Sequence, residues 1–245
     1  MADRYGPRGV FAVMIPLQNA NMQPEYEMMK PEGVSNQIYR FDLSRHDKAN
    51  LAMISSIPGA LGCWPDMIVC GNSIEMRLWS RERHREYMAS LQEKAGDVPV
   101  VTATEATAVA LKSIGAKRIG VLSPMSEEFS KSVQDFYTSL GFEVPYTNWL
   151  KVEKPEYIIN AGANEARAAL EEIAHDDVDT FLHVGGALGI VDVIEELEQN
   201  LGRPIVSVNV ATYWYALRRH GISDPLKGFG KLAQLTAISN SIAGI

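Results

Sequence analysis

Pro65-Asp66-Met67-Ile68-Val69-Cys70-Gly71-Asn72-Ser73 sets an acidic residue ahead of a short apolar run and closes that run with a turn of small residues. The pattern returns as Val178-Asp179-Thr180-Phe181-Leu182-His183-Val184-Gly185-Gly186. A second matching pair follows the two copies, Val98-Pro99-Val100-Val101-Thr102 and Arg203-Pro204-Ile205-Val206-Ser207. Short, nearly all-apolar runs suit strands covered on both faces, as in parallel sheets. The repeat implies two similar halves whose strand-end turns meet at a shared cleft, the place where open α/β sheets bind ligands.

Outward from these segments the same alternation continues. Strands are expected at Val10–Ile15, Gln37–Phe41, Met67–Cys70, Val98–Val101, Arg118–Leu122, Phe142–Pro145, Thr180–Val184 and Ile205–Val208. Helices are expected at Lys48–Leu61, Glu82–Lys94, Glu105–Ile114, Glu128–Leu140, Glu165–Ala174, Val191–Leu201 and Ala211–His220. Ala106, Val109, Ala110 and Ile114 recur at helical spacing, and Gly115, Gly141 and Gly202 stand where a left-handed C-terminal cap is wanted. The expected class is α/β: two pseudo-symmetric halves, each a mostly parallel sheet flanked by helices, with the active-site cleft between them. The first half is placed at residues 1–115 plus a C-terminal segment of about 211–245, the second at 116–210. No Ser/Gly/Pro linker marks the boundary, and the tail from Leu232 onward lacks a docking pattern and is expected to fray.

Composition narrows the function. With 245 residues, 46% hydrophobic and 22% charged, the chain has ordinary globular usage. A net charge of −7 argues against a nucleic-acid partner, which wants a basic face. There is no basic stretch followed by an apolar run at the start and no apolar run of about 18 residues, so no membrane partner and a cytoplasmic location are expected. Cys63, Cys70 and the five histidines form no metal-ligand pattern, and the cysteines read as free thiols. Gly185-Gly186-Ala187-Leu188-Gly189 has the wrong glycine spacing for a dinucleotide fingerprint. No metal, nucleotide or flavin is expected, and a homo-oligomer stays open.

Pro16-Leu17-Gln18-Asn19-Ala20-Asn21-Met22-Gln23-Pro24-Glu25 follows the first strand. A proline stop followed by amides puts Asn19 at the strand's C-terminal edge, as a donor to a carboxylate or as a turn-stabilising residue. Backbone N–H groups at Asn72-Ser73 and Gly185-Gly186 offer an uncharged oxyanion or carboxylate pocket. Arg77, within an arginine-rich run, reads either as a bidentate carboxylate partner or as part of a solvated helix entrance. Ser73 and Ser126 have no base nearby in sequence and read as substrate-orienting.

Taken together, these segments resemble the aspartate/glutamate racemase superfamily, in the branch of maleate cis-trans isomerases and arylmalonate decarboxylases. Pro16, Asn19, Met22, Pro24 and Glu25 match that branch's Pro-x-x-Asn-x-x-Met-Glu-Pro-Glu segment, with Gln23 at the first Glu. Lys30-Pro31-Glu32-Gly33-Val34 matches its Leu-Pro-Glu-Gly-Val. The segments Asp66–Ser73, Thr102–Ala106, Leu122-Ser123-Pro124, Asp179–Asp192 and Val206–Trp214 line up in order, over about residues 8 to 230. The resemblance implies the fold and a carboxylate site in which Asn19 and Asn209 grip the substrate. It also implies a cysteine six residues after each strand's leading Asp. Asn72 and Gly185 hold those positions here, and Met125 replaces a tyrosine. A register shifted by two residues would instead put Cys70 at the first cysteine position.

Three residues are therefore expected to supply the missing acid–base chemistry. Glu105 stands where the family has a small hydroxyl residue, as an enclosed carboxyl with raised pKa or as first-turn helix charge. His183 shares a strand face with Gly185, as a base or as a core histidine. Cys70 is the third. The resulting expectation is a cofactor-independent lyase, isomerase or decarboxylase acting on a small carboxylate or dicarboxylate through an enolate-like intermediate. The alternatives are a non-catalytic carboxylate-binding paralogue and a hydrolase using the remodelled pocket.

Overall fold

The computed structural model describes residues 4–43, 49–124 and 126–239. Among them the strands build two four-stranded parallel sheets. β1 (Gly9–Pro16), β2 (Val34–Phe41), β3 (Met67–Cys70) and β4 (Val100–Thr102) form the first, in the order β2-β1-β3-β4. β5 (Arg118–Ser123), β6 (Glu143–Trp149), β7 (Thr180–His183) and β8 (Ile205–Ser207) form the second, in the order β6-β5-β7-β8. The helices are α1 (Met22–Met29), α2 (Ala49–Ala60), α3 (Arg81–Ala95), α4 (Ala103–Ser113), α5 (Glu127–Ser139), α6 (Ala163–Glu171), α7 (Ile194–Leu201), α8 (Val208–Arg219) and α9 (Gly230–Gln234).

The identical strand order is the repeat made visible, and its two leading acids do the same work. Asp66 Oδ2 accepts the Val10 N–H at 2.8 Å while the Asp66 N–H donates to the Val10 carbonyl at 2.8 Å. Asp179 Oδ2 accepts the Arg118 N–H at 2.8 Å while its own N–H donates to the Arg118 carbonyl at 2.9 Å. Each acid thus satisfies a backbone donor at the start of the neighbouring central strand, a group the ladder alone leaves unpaired. Pro99 and Pro204 accept from Ile68 and Phe181, each at 2.9 Å, at strand starts where a missing N–H is tolerated.

Every side chain of β1 and β3 is buried. They alternate between two cores: Phe11, Val13, Ile15, Met67 and Val69 face one, Ala12, Met14, Ile68 and Cys70 the other. α8 is buried from Val208 to Arg218, as suits a helix with protein on all sides. It packs on α1, α4, β3 and β4 as well as on β8 and α9, and the alanines of α4 (Ala103, Ala106, Ala108, Ala110) let the two helices approach closely.

Two elements differ from the expectation. α1 forms between β1 and β2, where Pro24 sits in the first helical turn and removes an N–H that has no intrahelical partner anyway. The tail docks as far as residue 239. Leu232 and Ala233 are fully buried, and the Leu235 carbonyl accepts from Trp214 Nε1 at 2.7 Å and from Arg218 Nε at 2.8 Å. A buried carbonyl with two side-chain donors fixes a segment whose own pattern was silent.

Candidate active site

The C-terminal ends of β1, β3, β5 and β7 carry turns that meet at the seam between the sheets. The Gly185 N–H donates to Ser73 Oγ at 3.4 Å, and Asn21 Nδ2 donates to the Ala187 carbonyl at 2.8 Å. The turns after β1 and β3 therefore each touch the turn after β7. Gly185 has φ +82°, and a Cβ on it would lie 2.4 Å from the Pro124 ring; a Cβ on Gly186 would lie 2.2 Å from Asn209 Oδ1. Close approach at this seam depends on the missing side chains. In the first half, a Cβ on Gly71 would lie 1.5 Å from the Met22 methyl, so Met22 fills the space beside that turn.

Asn19 is 5% exposed, and its Oδ1 accepts the N–H groups of Asn21 and Met22 at 3.1 and 2.9 Å. This is the turn-stabilising role, and it also aims Nδ2, which makes no hydrogen bond among the described residues. Arg40 secures the turn from β2, donating to the Asn19 carbonyl at 2.9 Å and to Gln23 Oε1 at 3.0 Å. Asn209, 1% exposed, has committed its amide hydrogens: Nδ2 donates to Glu25 Oε2 at 2.5 Å and to the Gly186 carbonyl at 3.0 Å. Both partners are acceptors, so the amide orientation is fixed, and Asn209 acts as a strut between α8, α1 and the β7 turn.

Two buried acids at this seam were not singled out from the sequence. Glu25 is 4% exposed, and its Oε1 accepts the Val191 N–H at 2.9 Å. Burial pushes its carboxyl up to about 7, against the pull of the Val191 and Asn209 hydrogen bonds. Glu75, in the 3-10 turn Ile74–Met76, is wholly buried; the Thr104 hydroxyl donates to its Oε2, and burial holds its carboxyl above the usual range. Glu25 closes the matched Pro16–Glu25 segment, which is its signal in the sequence; for Glu75 the signal is an acid between the apolar Ile74 and Met76.

The acid–base residues expected from sequence lie elsewhere. Cys70 points into the outer core, its Sγ 3.9 Å from the Met14 sulfur, and burial pushes the thiol up to about 12, which keeps it protonated at neutral pH. His183 is wholly buried, with Nδ1 3.2 Å from Ser207 Oγ; burial lowers it to about 3, so the ring is neutral. Glu105 faces α8, accepting from the Tyr215 hydroxyl at 2.9 Å with Arg219 at 3.6 Å. Burial raises its carboxyl against both partners. Tyr215 lies about 9 Å further along the α8 axis than Asn209, so Glu105 is directed away from the strut.

Among the remaining expected residues, Asn72 is half-buried beside Ser73, which is 4% exposed. Arg77 is half-buried, its carbonyl accepting from Ser132 Oγ at 2.8 Å, and burial lowers its guanidinium. Ser126 is exposed at the N-cap of α5, its carbonyl accepting the Ser130 N–H at 3.0 Å. Met125 lies outside the described residues. Among the described residues no cluster of three or more His, Cys, Asp or Glu side chains is arranged to hold a metal ion, and no helix is long and apolar enough to cross a membrane.

The profile of the arylmalonate decarboxylase family matches residues 76–233, more than half of the chain. The chain belongs to the arylmalonate decarboxylase family. It is 23% identical over 154 residues to a maleate isomerase of Alcaligenes faecalis, covering 61% of each chain. It is 25% identical over 156 residues to a maleate isomerase of Pseudomonas putida, covering 61% of this chain and 62% of that one. The matches thus span about three fifths of these curated relatives. The fold agrees over more of the chain. A Nocardia farcinica maleate cis-trans isomerase, a cysteine-to-serine mutant with a covalently bound succinylcysteine intermediate, superposes with a TM-score of 0.81 at 16% identity, over 92% of this chain and 98% of that one. A crystal structure of arylmalonate decarboxylase superposes with a TM-score of 0.76 at 18% identity, over 91% and 98%. The branch and the two-sheet α/β architecture expected from the sequence are both borne out.

Proposed function

We propose that this member of the arylmalonate decarboxylase family is a cofactor-independent lyase, isomerase or decarboxylase. It takes a small carboxylate or dicarboxylate at the seam and stabilises an enolate-like intermediate there. The observation that carries this reading is the Gly185 N–H to Ser73 Oγ contact, which joins the strand-end turns of the two sheets; the β1 turn, which holds the uncommitted Asn19 Nδ2, meets the same β7 turn through Asn21. Preorganised amide, hydroxyl and backbone donors in a water-poor seam favour negative charge that develops during reaction, and they need no charged side chain to do so. Neither Asn72 nor Gly185 brings a thiol, so the reading assigns proton movement to a carboxyl. Glu25, pushed up to about 7, is matched to acid–base work near neutral pH.

The tight filling of the first turn by Met22 favours one competing reading, a carboxylate-binding paralogue without turnover. Thermal-shift screening of malonate, maleate and phenylmalonate, followed by turnover measured by NMR, separates the two. The enzyme reading expects stabilisation by at least one of these, product formation from it, and loss of both in Asn19→Ala. Stabilisation without product assigns the binding reading. Indifference to every carboxylate removes both.

A further inference from the structure

His84, on α3, is 3% exposed, and both of its ring nitrogens lack a hydrogen-bond partner among the described residues. Its ring sits against Phe136 of α5, with centroids 4.8 Å apart, and against Trp79 at 5.5 Å. Burial lowers it to about 4, so the imidazole is neutral and offers one N–H donor and one lone pair. A buried donor without an acceptor is costly, and native interiors leave few of them.

Beside this ring is a cleft of about 10 Å³, room for a single oxygen-sized group. Among the described residues its lining holds two guanidiniums, Arg81 and Arg85, and no carboxylate. Neither arginine forms a salt bridge among the described residues. Arg81 Nη1 donates to the Ser139 carbonyl at 3.1 Å, which holds the side chain across the gap from α3 to α5 and leaves its other N–H groups uncommitted. The cleft adjoins a larger cavity of about 370 Å³, and Arg81 and Phe136 line both. That volume is in the range of small-molecule sites. Trp79, Phe136 and the exposed Leu78 give the cavity apolar sides, and the N-terminus of α3 opens on it with the positive end of its dipole. The polar groups on the other wall are already matched: Ser132 Oγ lies 3.0 Å from the Glu75 carbonyl and 2.8 Å from the Arg77 carbonyl, and Asp135 has Lys131 at 3.7 Å. The unmatched donors therefore gather at the Arg81, Arg85 and His84 end. Asn19, Ser73 and Gly185 line neither space.

We infer that the space between α3 and α5 is a second ligand site, apart from the seam, for an aromatic monoanion. Its anionic head lies between Arg81 and Arg85 with one oxygen accepting the His84 N–H, and its ring lies between Trp79 and Phe136. Guanidinium forks suit an oxyanion, and flanking aromatic rings suit a flat apolar body.

The test is titration of the full chain, isotopically labelled at histidine, with benzoate, acetate and benzyl alcohol, followed by NMR of the histidine ring nitrogens. Benzoate should shift the His84 signals saturably. Acetate, which lacks the ring, and benzyl alcohol, which lacks the charge, should bind there at least about tenfold more weakly. Arg81→Met and Arg85→Met, both at exposed positions, should each weaken benzoate about tenfold. Asn19→Ala should leave the His84 response unchanged. His84 signals that benzoate does not move, or equal affinity in wild type and both methionine variants, would overturn the inference. Benzyl alcohol binding as tightly as benzoate would overturn the anionic class. A response lost in Asn19→Ala and kept in Arg81→Met would assign the benzoate to the seam and leave the α3–α5 site without a ligand.

Discussion

After β3 the chain runs Gly71-Asn72-Ser73, and after β7 it runs Val184-Gly185-Gly186, at the same distances from the clamping acids Asp66 and Asp179. The Gly71 N–H donates to the Met14 carbonyl at 3.2 Å and the Val184 N–H to the Leu122 carbonyl at 3.0 Å, so the two backbones leave their sheets alike. The chemistry they deliver is opposite. The first turn has no room at Gly71, where Met22 fills the space, and then presents an amide and a hydroxyl. The second has a side chain at Val184 and then two positions without one, pressed against Pro124 and Asn209. One half supplies side-chain donors and a buried acid, the other supplies backbone and clearance. A repeated scaffold therefore carries an asymmetric site, which suits a ligand approached by different groups from its two sides.

The largest effect is expected where clearance is the function. Gly185→Val combines a positive φ with a collision at Pro124 and costs about 3 kcal/mol in urea unfolding, along with carboxylate binding. A cost no greater than that of a change at Asn72 would show that the two turns are equally tolerant and remove the contrast.

Next is the acid that braces the second turn through Asn209 and Val191. Glu25 is raised in the folded protein, so its contribution is fully present below its ordinary value of 4.5 and is lost as pH rises through about 7. Glu25→Gln should flatten that part of the stability curve, a difference of at most about 3 kcal/mol in chemical unfolding across the window. An unchanged slope would mean Glu25 is better solvated than its 4% exposure implies.

Ser73→Ala sharpens the comparison from the other side. It should weaken carboxylate binding about tenfold, or about 1.4 kcal/mol, with a smaller change in melting temperature. A large loss of stability with unaltered binding would make Ser73 a structural bridge. The smallest effect is expected at Asn72, half-buried beside it: Asn72→Ala should move stability by less than about 0.5 kcal/mol and appear, if anywhere, in ligand discrimination measured by turnover ratios.

Strand Met67–Cys70 was legible to the residue, because a four-residue apolar run between an acid and small residues has few other fates. The helices were placed to within a few residues, apart from α1, whose eight residues and early proline give too little periodicity to register, and the five-residue α9, which is shorter still. The site was less legible. Ser73 and Gly185 meet at the seam and the turn that holds Asn19 reaches it through Asn21, whereas Cys70, His183 and Glu105 face packed interiors or a helix. Their side-chain directions follow from strand alternation and from which layer lies on each face, and a linear pattern states only the first of these.

The sequence by itself determined the alternation of strands and helices, the two-fold repeat, the family branch, and the absence of cysteine at Asn72 and Gly185. Local preference and hydrophobic period act over a few residues and are written into the chain directly. The tertiary structure alone decided that Asn209 is a strut, that Glu25 and Glu75 are enclosed acids, and that Ser73 touches Gly185. Each of those depends on groups as many as 184 positions apart being desolvated together, as in the Glu25–Asn209 contact. Burial, which sets both pKa and hydrogen-bond choice, belongs to the packed molecule and to no segment of it.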